Sequence, residues 1–355
     1  MVTFSISVPV GAYHELLPTC LNSLATQKGG LKVSLLDASG DPRVRDLADR
    51  FAGILTYRRH GPDKGQSDAI IEGWGNAEGD VLGWLNADDF LYPGALERVS
   101  EVFERDSAAD VVSGHSAICN RQGALTGYHW AVEPPGEALL SGCVISQPSC
   151  FFRRSLYDAV GGLDRELHYT MDWDLWLRFY ANAARFAFLD EPLSVVYWGE
   201  GTKTIGMNKA RRLELERLIS AYTPSGMKFR ARRGFFLRAM LDNIGSSKLK
   251  SAIEDALRRN KPSVFGLGPN GVIGERATII LPYFGEKNAT AVELEIDGSE
   301  NIEVSMENAA AVRRSGHLIR IELQNTPREA CIFWVALRRS RAAKARLMSC
   351  RAVGE

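Results

Sequence analysis

The first half of the chain alternates short apolar runs with amphipathic segments. The runs "FSISVPV", "LKVSLLDAS", "ILTYRR", "DVLGWLNADD" and "ADVVSGH" predict five strands. After the first run, Pro18 suits the first turn of a helix whose apolar face is formed by Leu17, Cys20, Leu21 and Leu24. Further helices are predicted at "DPRVRDLADRFA", in "DAIIEGWGNA" and at "PGALERVSEVFERD". This alternation predicts an α/β fold, with a mostly parallel sheet and helices on both faces.

The pattern changes after about residue 205. The segments "NKARRLELERLISAY", "MKFRARRGFFLRAMLDNI" and "SKLKSAIEDALRRN" predict helices, and Pro262 closes this section. Short alternating runs follow, "ATIILPYF", "AVELEIDG", "NIEVSMEN", "LIRIELQN" and "CIFWVALRR", which predict a small antiparallel β-domain. The predicted organisation is an α/β domain at 1–205, a helical connector at 206–262, a β-rich domain at 263–340 and a basic tail at 341–355. The β-rich domain could pack on the α/β domain, bind glycan or mediate dimerisation.

Composition narrows the functional classes only modestly. The 355 residues are 45% hydrophobic and 24% charged, with a formal net charge of zero, so no overall field favours nucleic acid as a partner. The six cysteines form no CxxC pair, which favours a reducing compartment over a disulfide framework or zinc site. The N-terminus enters the first strand without the basic start of a signal peptide, and no apolar stretch approaches the roughly 20 residues of a membrane span. We expect a cytoplasmic protein, either soluble or peripheral at the inner face of the cell membrane.

The stretch "GWLNADDFLYPGAL" ends a buried strand in polar side chains. Asn86, Asp88 and Asp89 follow the fourth strand, and Asp37 ends the second. The carboxyl ends of parallel strands meet at one edge of a sheet, where ligands bind. Hard divalent cations take carboxylate oxygens, so this edge predicts a metal site, with a solvated loop as the alternative.

A second acidic cluster lies in "ELHYTMDWDLWLRFY", where Asp172 and Asp174 open an amphipathic helix. Helix capping explains acidic residues at such a position. Residues two apart do not share a helix face, so we expect separate roles, one in a site and one in capping or packing. Trp173 between them is either a core residue or a contact surface for a ligand.

Four stretches, in this order, resemble the family-2 glycosyltransferases, with a GT-A fold and of the bacterial polysaccharide-biosynthesis type. They are "SISVPVGAYHELLPTCLNSLATQ", "VSLLDASGD", "GPDKGQSDAIIEGWGNAEGDVLGWLNADDFLYPGAL" and "ISQPSCFFRRSLYDAVGGLDRELHYTMDWDLWLRFY". The resemblance covers roughly residues 1–205. It implies inverting transfer of a sugar from a UDP-, GDP- or dTDP-sugar to a hydroxyl of a glycan or lipid-linked acceptor, with Mg²⁺ or Mn²⁺.

The resemblance also implies roles for particular residues. Asp172 stands at the position of the general base. Asp88, together with Asp89, stands at the metal-binding position of the DxD-type motif. Asp37 would recognise the base, and Asn86 would contact ribose. The implied nucleotide-sugar contacts together are Pro9, Tyr13, Glu15, Asp37, Lys64, Asp68, Asn86, Asp88 and Lys203. The implied acceptor-side residues are Gln147, Pro148 and Trp173.

The sequence departs from the family pattern at three points, and two of them, Asn86 and Met171, motivate an alternative, a non-catalytic protein that binds glycan or nucleotide. Asn86 replaces a common Asp, Met171 replaces a common acidic residue, and "VVYWGEGTKT" lacks a His that often follows the last strand, where Lys203 could substitute. A sugar nucleotidylyltransferase is a weaker alternative, because "PVGAYHELLP" lacks a glycine-rich basic loop. A dinucleotide-binding enzyme is disfavoured for a similar reason, because no G-x-G-x-x-G motif follows the first strand.

The predicted helix at 227–241 interleaves aromatic and basic residues. Phe229, Phe235 and Phe236 alternate with Lys228, Arg230, Arg232 and Arg233. This mixture suits the surface of an anionic membrane, and a solvated helix face is the alternative.

Overall fold

The computed structural model describes residues 2–129, 131–133, 135–199, 202, 208–242, 263–268, 271–285, 288–341 and 343–354. Its helices are α1 (Leu17–Ala25), α2 (Pro42–Arg50), α3 (Gln66–Asn76), α4 (Ala95–Arg105), α5 (Arg154–Ala159), α6 (Met171–Ala181), α7 (Lys209–Tyr222) and α8 (Ser225–Asp242). Single 3₁₀ segments lie at Gly136–Ser141, Gln147–Ser149 and Ser299–Asn301. The predicted helix "SKLKSAIEDALRRN" and the predicted contact Lys203 lie outside the described residues.

Strands make up the centre of the protein. In chain order they are β1 (Thr3–Val10), β2 (Gly30–Asp37), β3 (Leu55–His60), β4 (Val81–Trp84), β5 (Phe90–Leu91), β6 (Val111–Cys119), β7 (Leu125–His129), β8 (Cys150–Arg153), β9 (Phe186–Tyr197), β10 (Arg276–Tyr283), β11 (Ala289–Asp297), β12 (Ile302–Met306), β13 (Ala309–Ser315), β14 (Leu318–Leu323), β15 (Cys331–Arg339) and β16 (Arg346–Gly354). The large sheet runs β13-β14-β11-β16-β7-β6-β8-β4-β1-β2-β3, and β9 pairs with β5 and β6. This arrangement confirms the predicted α/β fold followed by an antiparallel β-unit.

Four strands of this sheet, β3, β2, β1 and β4, are mutually parallel. Val10 pairs with Asp37 and Asp37 with His60, while Ser7 pairs with Trp84. The strands therefore end together, as expected, at an edge that we call the carboxyl edge. Beyond β4 the sheet is mixed, because β6, which contains the predicted fifth strand, runs antiparallel to β7 and β8 and parallel to β9.

Small residues on one face of the sheet bring α3 close to the strands. The Ser7 hydroxyl donates to the Ile70 carbonyl at 3.1 Å, and the Ser34 hydroxyl donates to the Gly73 carbonyl at 3.0 Å. A Cβ at Gly73 would clash with the Ser7 hydroxyl. This close packing fixes the first turn of α3, which begins at Gln66, beside the carboxyl edge.

The two faces of the parallel strands carry different hydrophobic clusters. One cluster contains Ile6 and Val8 together with apolar residues of α1, α2 and α4. The other contains Trp74 and Trp84 with residues of α3, α5 and α6. Helices therefore cover both faces, as the alternating pattern predicts.

The C-terminal β-unit packs on the α/β domain and shares its core. Its strands β10, β15 and β12 form a second sheet, while β16 joins the large sheet where Cys350 pairs with Leu125. The Tyr92 hydroxyl donates to the Ile280 carbonyl, and the Tyr128 hydroxyl accepts from the Ile280 N–H, both at 2.7 Å. Of the arrangements left open by the sequence, the structure therefore has the β-unit packed on the α/β domain.

The predicted basic tail at 341–355 contains a strand instead. Within β16, Leu347 and Cys350 are buried, while Arg351 is exposed, and the strand pairs with β11 over most of its length. Of the basic residues on which the prediction of a tail rests, Arg341 and Lys344 precede the strand, and Arg351 within it is exposed. The β-rich unit therefore extends to residue 354.

The connector helices α7 and α8 pack against the α/β domain. Leu215, Leu218 and Ile219 of α7 and Ala231 of α8 are buried in the cluster that contains α6. None of the helices within the described ranges is long and apolar enough to span a lipid bilayer.

Candidate active site

The turn after β4 is held by its own side chains. Asn86 accepts a hydrogen bond from the Gln66 amide at 2.6 Å and donates to Asp89 at 2.8 Å. The other Asp89 oxygen accepts from the Tyr197 N–H at 3.3 Å, which ties the turn to β9. Asp89 is buried and Asp88 half-buried. Both oxygens of Asp89 are thus engaged in shaping the turn, which leaves Asp88 as the stronger metal candidate of the predicted pair.

Both carboxylates are costly to ionise. Burial raises the pKa of Asp89 well above its usual range, the neighbouring charge of Asp88 raises it further, and the bonds from Asn86 and Tyr197 oppose this rise. Burial also raises the pKa of Asp88, while the charge of His14 opposes that rise. A cation beside the pair would offset the cost of burying this negative charge.

The donor set of this turn fits a divalent ion shared with a substrate. Within the described ranges, no group of three or more His, Cys, Asp or Glu side chains is arranged to hold a metal ion. Mg²⁺ is commonly bound by one or two carboxylates, with phosphate and water oxygens completing its shell. Asp88 would be the protein ligand in such an arrangement.

The loop after β1 lies beside Asp88. Pro9 is buried at the end of the strand, and the Arg43 guanidinium lies 3.7 Å from the centre of the Tyr13 ring. Glu15 is exposed, 4.0 Å from Arg43. The His14 ring lies 4.8 Å from the ring of Tyr197. His14 is therefore a neighbour of the metal candidate that the sequence analysis did not name, although it lies between two residues that it did.

The predicted base contact, Asp37, is already engaged. The residue is 1% exposed, and one oxygen accepts from the Ser39 N–H at 2.9 Å and from its hydroxyl at 2.5 Å. The other oxygen lies 2.8 Å from His60 Nδ1, in register on the next strand. Asp37 could bind a base only by giving up one of these bonds, so this role stays a prediction.

The first turn of α3 faces the same edge. Gly65 precedes the helix with a φ of 124°, a conformation that favours glycine, and its N–H donates to Asp63 at 3.0 Å. Lys64 is exposed, and Asp68 pairs with Arg165 at 2.7 Å. The positive end of the helix dipole favours a negatively charged group here.

Asp172 lies in the first turn of α6. One oxygen accepts from the Trp173 N–H at 2.7 Å, and the other lies 3.9 Å from the Cys143 sulfur. Burial raises the pKa of Asp172, against the opposing hydrogen bond from Trp173 and the charge of Arg211. A carboxylate with a raised pKa is a better proton acceptor near neutral pH.

The neighbouring acid has a different function. Asp174 is buried and pairs with Arg178 at 2.7 Å, one turn further along α6. The two acids therefore occupy separate environments, as their spacing predicts, and Asp174 is the packing residue.

Of the residues predicted for the acceptor side, two lie near the end of β4 and one packs in the core. The Gln147 amide donates to the Trp84 carbonyl at 2.7 Å, and Pro148 is buried beside it. Trp173 is 1% exposed, its indole N–H donates to the Leu139 carbonyl at 2.8 Å, and its ring lies 5.1 Å from that of Phe235. Trp173 therefore packs in the core and offers no face to a sugar, which corrects its prediction as an acceptor-side residue.

Contacts from α3 connect the two acidic positions. Gln66 binds Asn86 in the turn that carries Asp88, and the next residue, Ser67, lies 3.0 Å from the sulfur of Met171. Met171 directly precedes Asp172. The turn that carries Asp88 and the start of the helix that carries Asp172 therefore both contact the first turn of α3.

Comparisons with known proteins identify the class. The profile of the family described as Glycosyl transferase family 2 matches residues 5–160. The PGL/p-HBAD biosynthesis glycosyltransferase of Mycobacterium tuberculosis is 30% identical over 186 residues, which cover 51% of this chain and 71% of the relative. An uncharacterized glycosyltransferase of Rickettsia prowazekii is 26% identical over 190 residues, covering 50% of this chain and 58% of the relative. The S. aureus TarS 1–349 structure with UDP-GlcNAc is 18% identical, with a TM-score of 0.47, and the match covers 73% of this chain and 74% of TarS.

The chain belongs to glycosyltransferase family 2. This membership confirms the resemblance seen in the sequence and the GT-A type of α/β fold. It also favours a glycosyltransferase over the sugar nucleotidylyltransferase considered as an alternative.

Proposed function

We propose that this protein is an inverting glycosyltransferase that moves a sugar from a nucleoside diphosphate donor to an acceptor hydroxyl. Asp172 is the general base, and Asp88 binds Mg²⁺ or Mn²⁺. The observation that carries the proposal is that the first turn of α3, beside the carboxyl edge, contacts both Asn86, in the turn that carries Asp88, and Met171, the residue before Asp172. Ligands bind at this edge in open α/β sheets.

The reaction needs one displacement. Asp172 accepts the proton of the acceptor hydroxyl, whose oxygen forms a bond to the anomeric carbon as the bond to the diphosphate breaks. Attack from the face opposite the diphosphate inverts the anomeric configuration. A divalent cation at Asp88 would neutralise the negative charge that develops on the departing diphosphate. The half-buried position of Asp172 keeps its pKa raised, which suits proton transfer near neutral pH.

The donor is proposed to be a UDP-, GDP- or dTDP-sugar along the carboxyl edge. Its base would lie near Asp37, its ribose at Asn86, and its diphosphate between Asp88 and the start of α3. The remaining proposed contacts with the nucleotide-sugar are Pro9, Tyr13, Glu15, Lys64, Asp68 and Lys203. These contacts are proposed because the residues lie along the carboxyl edge. Lys203 is proposed from its position in the sequence.

The acceptor is proposed to be a glycan or a lipid-linked molecule, bound on the side of Gln147 and Pro148. The M. tuberculosis relative is named for PGL/p-HBAD biosynthesis. A surface feature of α8 is consistent with a lipid-linked acceptor. Phe229, Phe236 and Met240 are 77%, 64% and 53% exposed and fall on one face of the helix.

Charge on the same face points to an anionic membrane surface. Arg233 lies one turn after Phe229 and is exposed, whereas Arg232 is paired with Glu216 at 2.9 Å. Phe235, on the packed side of α8, contacts Trp173 of α6, next to Asp172. A membrane bound to this stripe would therefore lie on the acceptor half of the protein. Aromatic and basic residues together favour the interface of an anionic bilayer.

Vesicle co-sedimentation tests the membrane proposal. The chain should bind phosphatidylglycerol-containing vesicles more strongly than phosphatidylcholine vesicles, and less strongly as salt rises. A Phe229→Ser, Phe236→Ser variant should lose this binding, whereas Trp334→Ser, at an exposed residue of the β-unit, should keep it. Equal binding by all three proteins would contradict the proposal.

A panel of UDP-, GDP- and dTDP-sugars tests the function itself. Release of nucleoside diphosphate should require one donor, an acceptor and Mg²⁺ or Mn²⁺, and chelation with EDTA should abolish it. Binding without release under any acceptor would favour the non-catalytic alternative, which Asn86 and Met171 motivated. Thermal shift with each nucleotide detects binding independently, because a ligand of the folded state raises apparent stability.

A further inference from the structure

A buried carboxylate of the connector helix α7 binds the chain just before Asp172. Glu214 is 9% exposed, and its Oε1 accepts from the His168 N–H at 2.9 Å. Its Oε2 accepts from the N–H groups of Tyr169 and Thr170 at 2.8 and 3.1 Å, and from the Thr170 hydroxyl at 3.0 Å. One side chain thus satisfies the N–H groups of three consecutive residues.

These three residues determine how α6 begins. Thr170 is the residue that precedes the helix, and its side chain makes no capping bond to α6. Its hydroxyl donates to Glu214 instead, and Asp172 follows two residues later. The backbone that leads into the proton acceptor is therefore set by a residue far away in the sequence.

Other contacts of the same segment, residues 164–170, are more exposed. Arg217 of α7 pairs with Asp164 at 3.0 Å, and the Arg217 side chain is largely exposed. Exposed ion pairs contribute little, whereas buried hydrogen bonds from N–H groups to a carboxylate are among the stronger ones. On the opposite side, the Ser67 hydroxyl of α3 donates to the Leu167 carbonyl at 3.2 Å. The 164–170 segment therefore lies between α7 and the donor-side helix, and Glu214 is its principal attachment to α7.

We infer that Glu214 is a positioning residue that holds Asp172 in its catalytic orientation. The inference rests on the proposed role of Asp172 as general base. It extends the functional machinery into the connector, because Glu214 lies outside the residues matched by the family profile. Its function is to keep Asp172 aligned with the acceptor hydroxyl, not to bind the donor.

The test is the Glu214→Gln variant, which keeps the shape of the side chain. One carboxylate oxygen becomes an NH₂ group, which cannot accept a hydrogen bond from the backbone N–H groups that it faces. The expected result is a fall in kcat of roughly 10- to 100-fold, since a small misplacement of a catalytic group costs about 100-fold. The dissociation constant for the donor identified by the sugar-nucleotide panel should be unchanged. Hydrogen exchange in 164–172 should become faster.

Glu216→Gln is the matched control, on the same helix. Glu216 is half-exposed and pairs only with another connector residue, Arg232, among the contacts described for it. This control should keep wild-type kcat and hydrogen exchange. If Glu214→Gln does not fold, Thr170→Val removes only the hydroxyl bond and should lower kcat several-fold with unchanged donor affinity.

Two results would overturn the inference. One is a folded Glu214→Gln protein with wild-type kcat, and the other is a loss of kcat matched by an equal loss of donor affinity. Failure of the proposed function looks different: the wild-type protein would transfer no sugar, or Asp172→Asn would keep normal turnover whatever Glu214→Gln does.

Discussion

Two tyrosines of the α/β domain satisfy the backbone of one residue in the C-terminal β-unit. Ile280 lies on β10, an edge strand of the second sheet, where its N–H and carbonyl face away from β15. Tyr92 donates to the carbonyl and Tyr128 accepts from the N–H. All three residues are buried, so water cannot replace the hydroxyls. The two units should therefore unfold together, and each hydroxyl should contribute to the stability of the whole chain.

The expected cost follows from these bonds. Tyr92→Phe removes one hydrogen bond and leaves a buried carbonyl without its partner, which should lower the free energy of unfolding by about 1–3 kcal/mol. Tyr128→Phe should cost a similar amount by leaving the N–H unpaired. The ring volumes are unchanged, so no cavity adds to the loss. The losses of the two single variants should not add in the double variant, because both changes act on the backbone of one residue.

Urea unfolding followed by circular dichroism measures this cost. The control is Tyr57→Phe, which removes a hydroxyl bonded to Glu72 at 2.8 Å from a half-exposed position and should cost less than about 0.5 kcal/mol. Equal losses for Tyr92→Phe and Tyr57→Phe would refute the reasoning. So would two separate transitions in the wild-type protein, with the tyrosine variants affecting only one.

Three further predictions concern the site. Asp88→Asn should abolish the increase in thermal stability that Mn²⁺ gives to the nucleotide-bound protein, and a persisting increase would place the metal elsewhere. Burial raises the pKa of Asp172, although the charge of Arg211 opposes that rise. Activity should therefore be lost as pH falls through a pKa that lies above the usual aspartate range. An acid limb of the kcat–pH profile within the usual aspartate range would contradict this prediction. Trp173→Phe should lower the free energy of unfolding by about 1–3 kcal/mol, measured in urea, because it loses a buried hydrogen bond. The acceptor KM should be unchanged, and a large increase would return Trp173 to the acceptor side.

Local pattern was sufficient to predict the first half of the fold. Strands β1 to β4 and the helices between them follow the alternation of apolar runs, and parallel pairing brings their ends to one edge. The separation of Asp172 from Asp174 followed from helix geometry alone. By contrast, the sequence favoured Asp88 over Asp89 as the metal ligand only through its place in the DxD-type motif. Only the fold shows that Asp89 is bonded to Asn86 and to the N–H of Tyr197, a residue at the end of a distant strand.

Long-range pairing could not be predicted in the second half. Alternating strands fit either of two antiparallel sheets, and nothing in the segment around Cys350 indicates that it pairs with Leu125. Glu214 left a weak signal in the sequence, since it is a charged residue on the helical face that Leu218 continues one turn later. A charged residue on an apolar face indicates a buried partner, but the sequence does not show that the partner is the backbone before Asp172.

The central claim is that Asp172 accepts the proton of the acceptor hydroxyl, and Asp172→Asn tests it most directly. The variant keeps the size of the side chain and its place in the first turn of α6. With donor and acceptor from the panel, we expect kcat to fall by about 100- to 10,000-fold, the usual contribution of a general base, while the donor dissociation constant stays at the wild-type value. Near-normal turnover by Asp172→Asn would contradict the proposed mechanism.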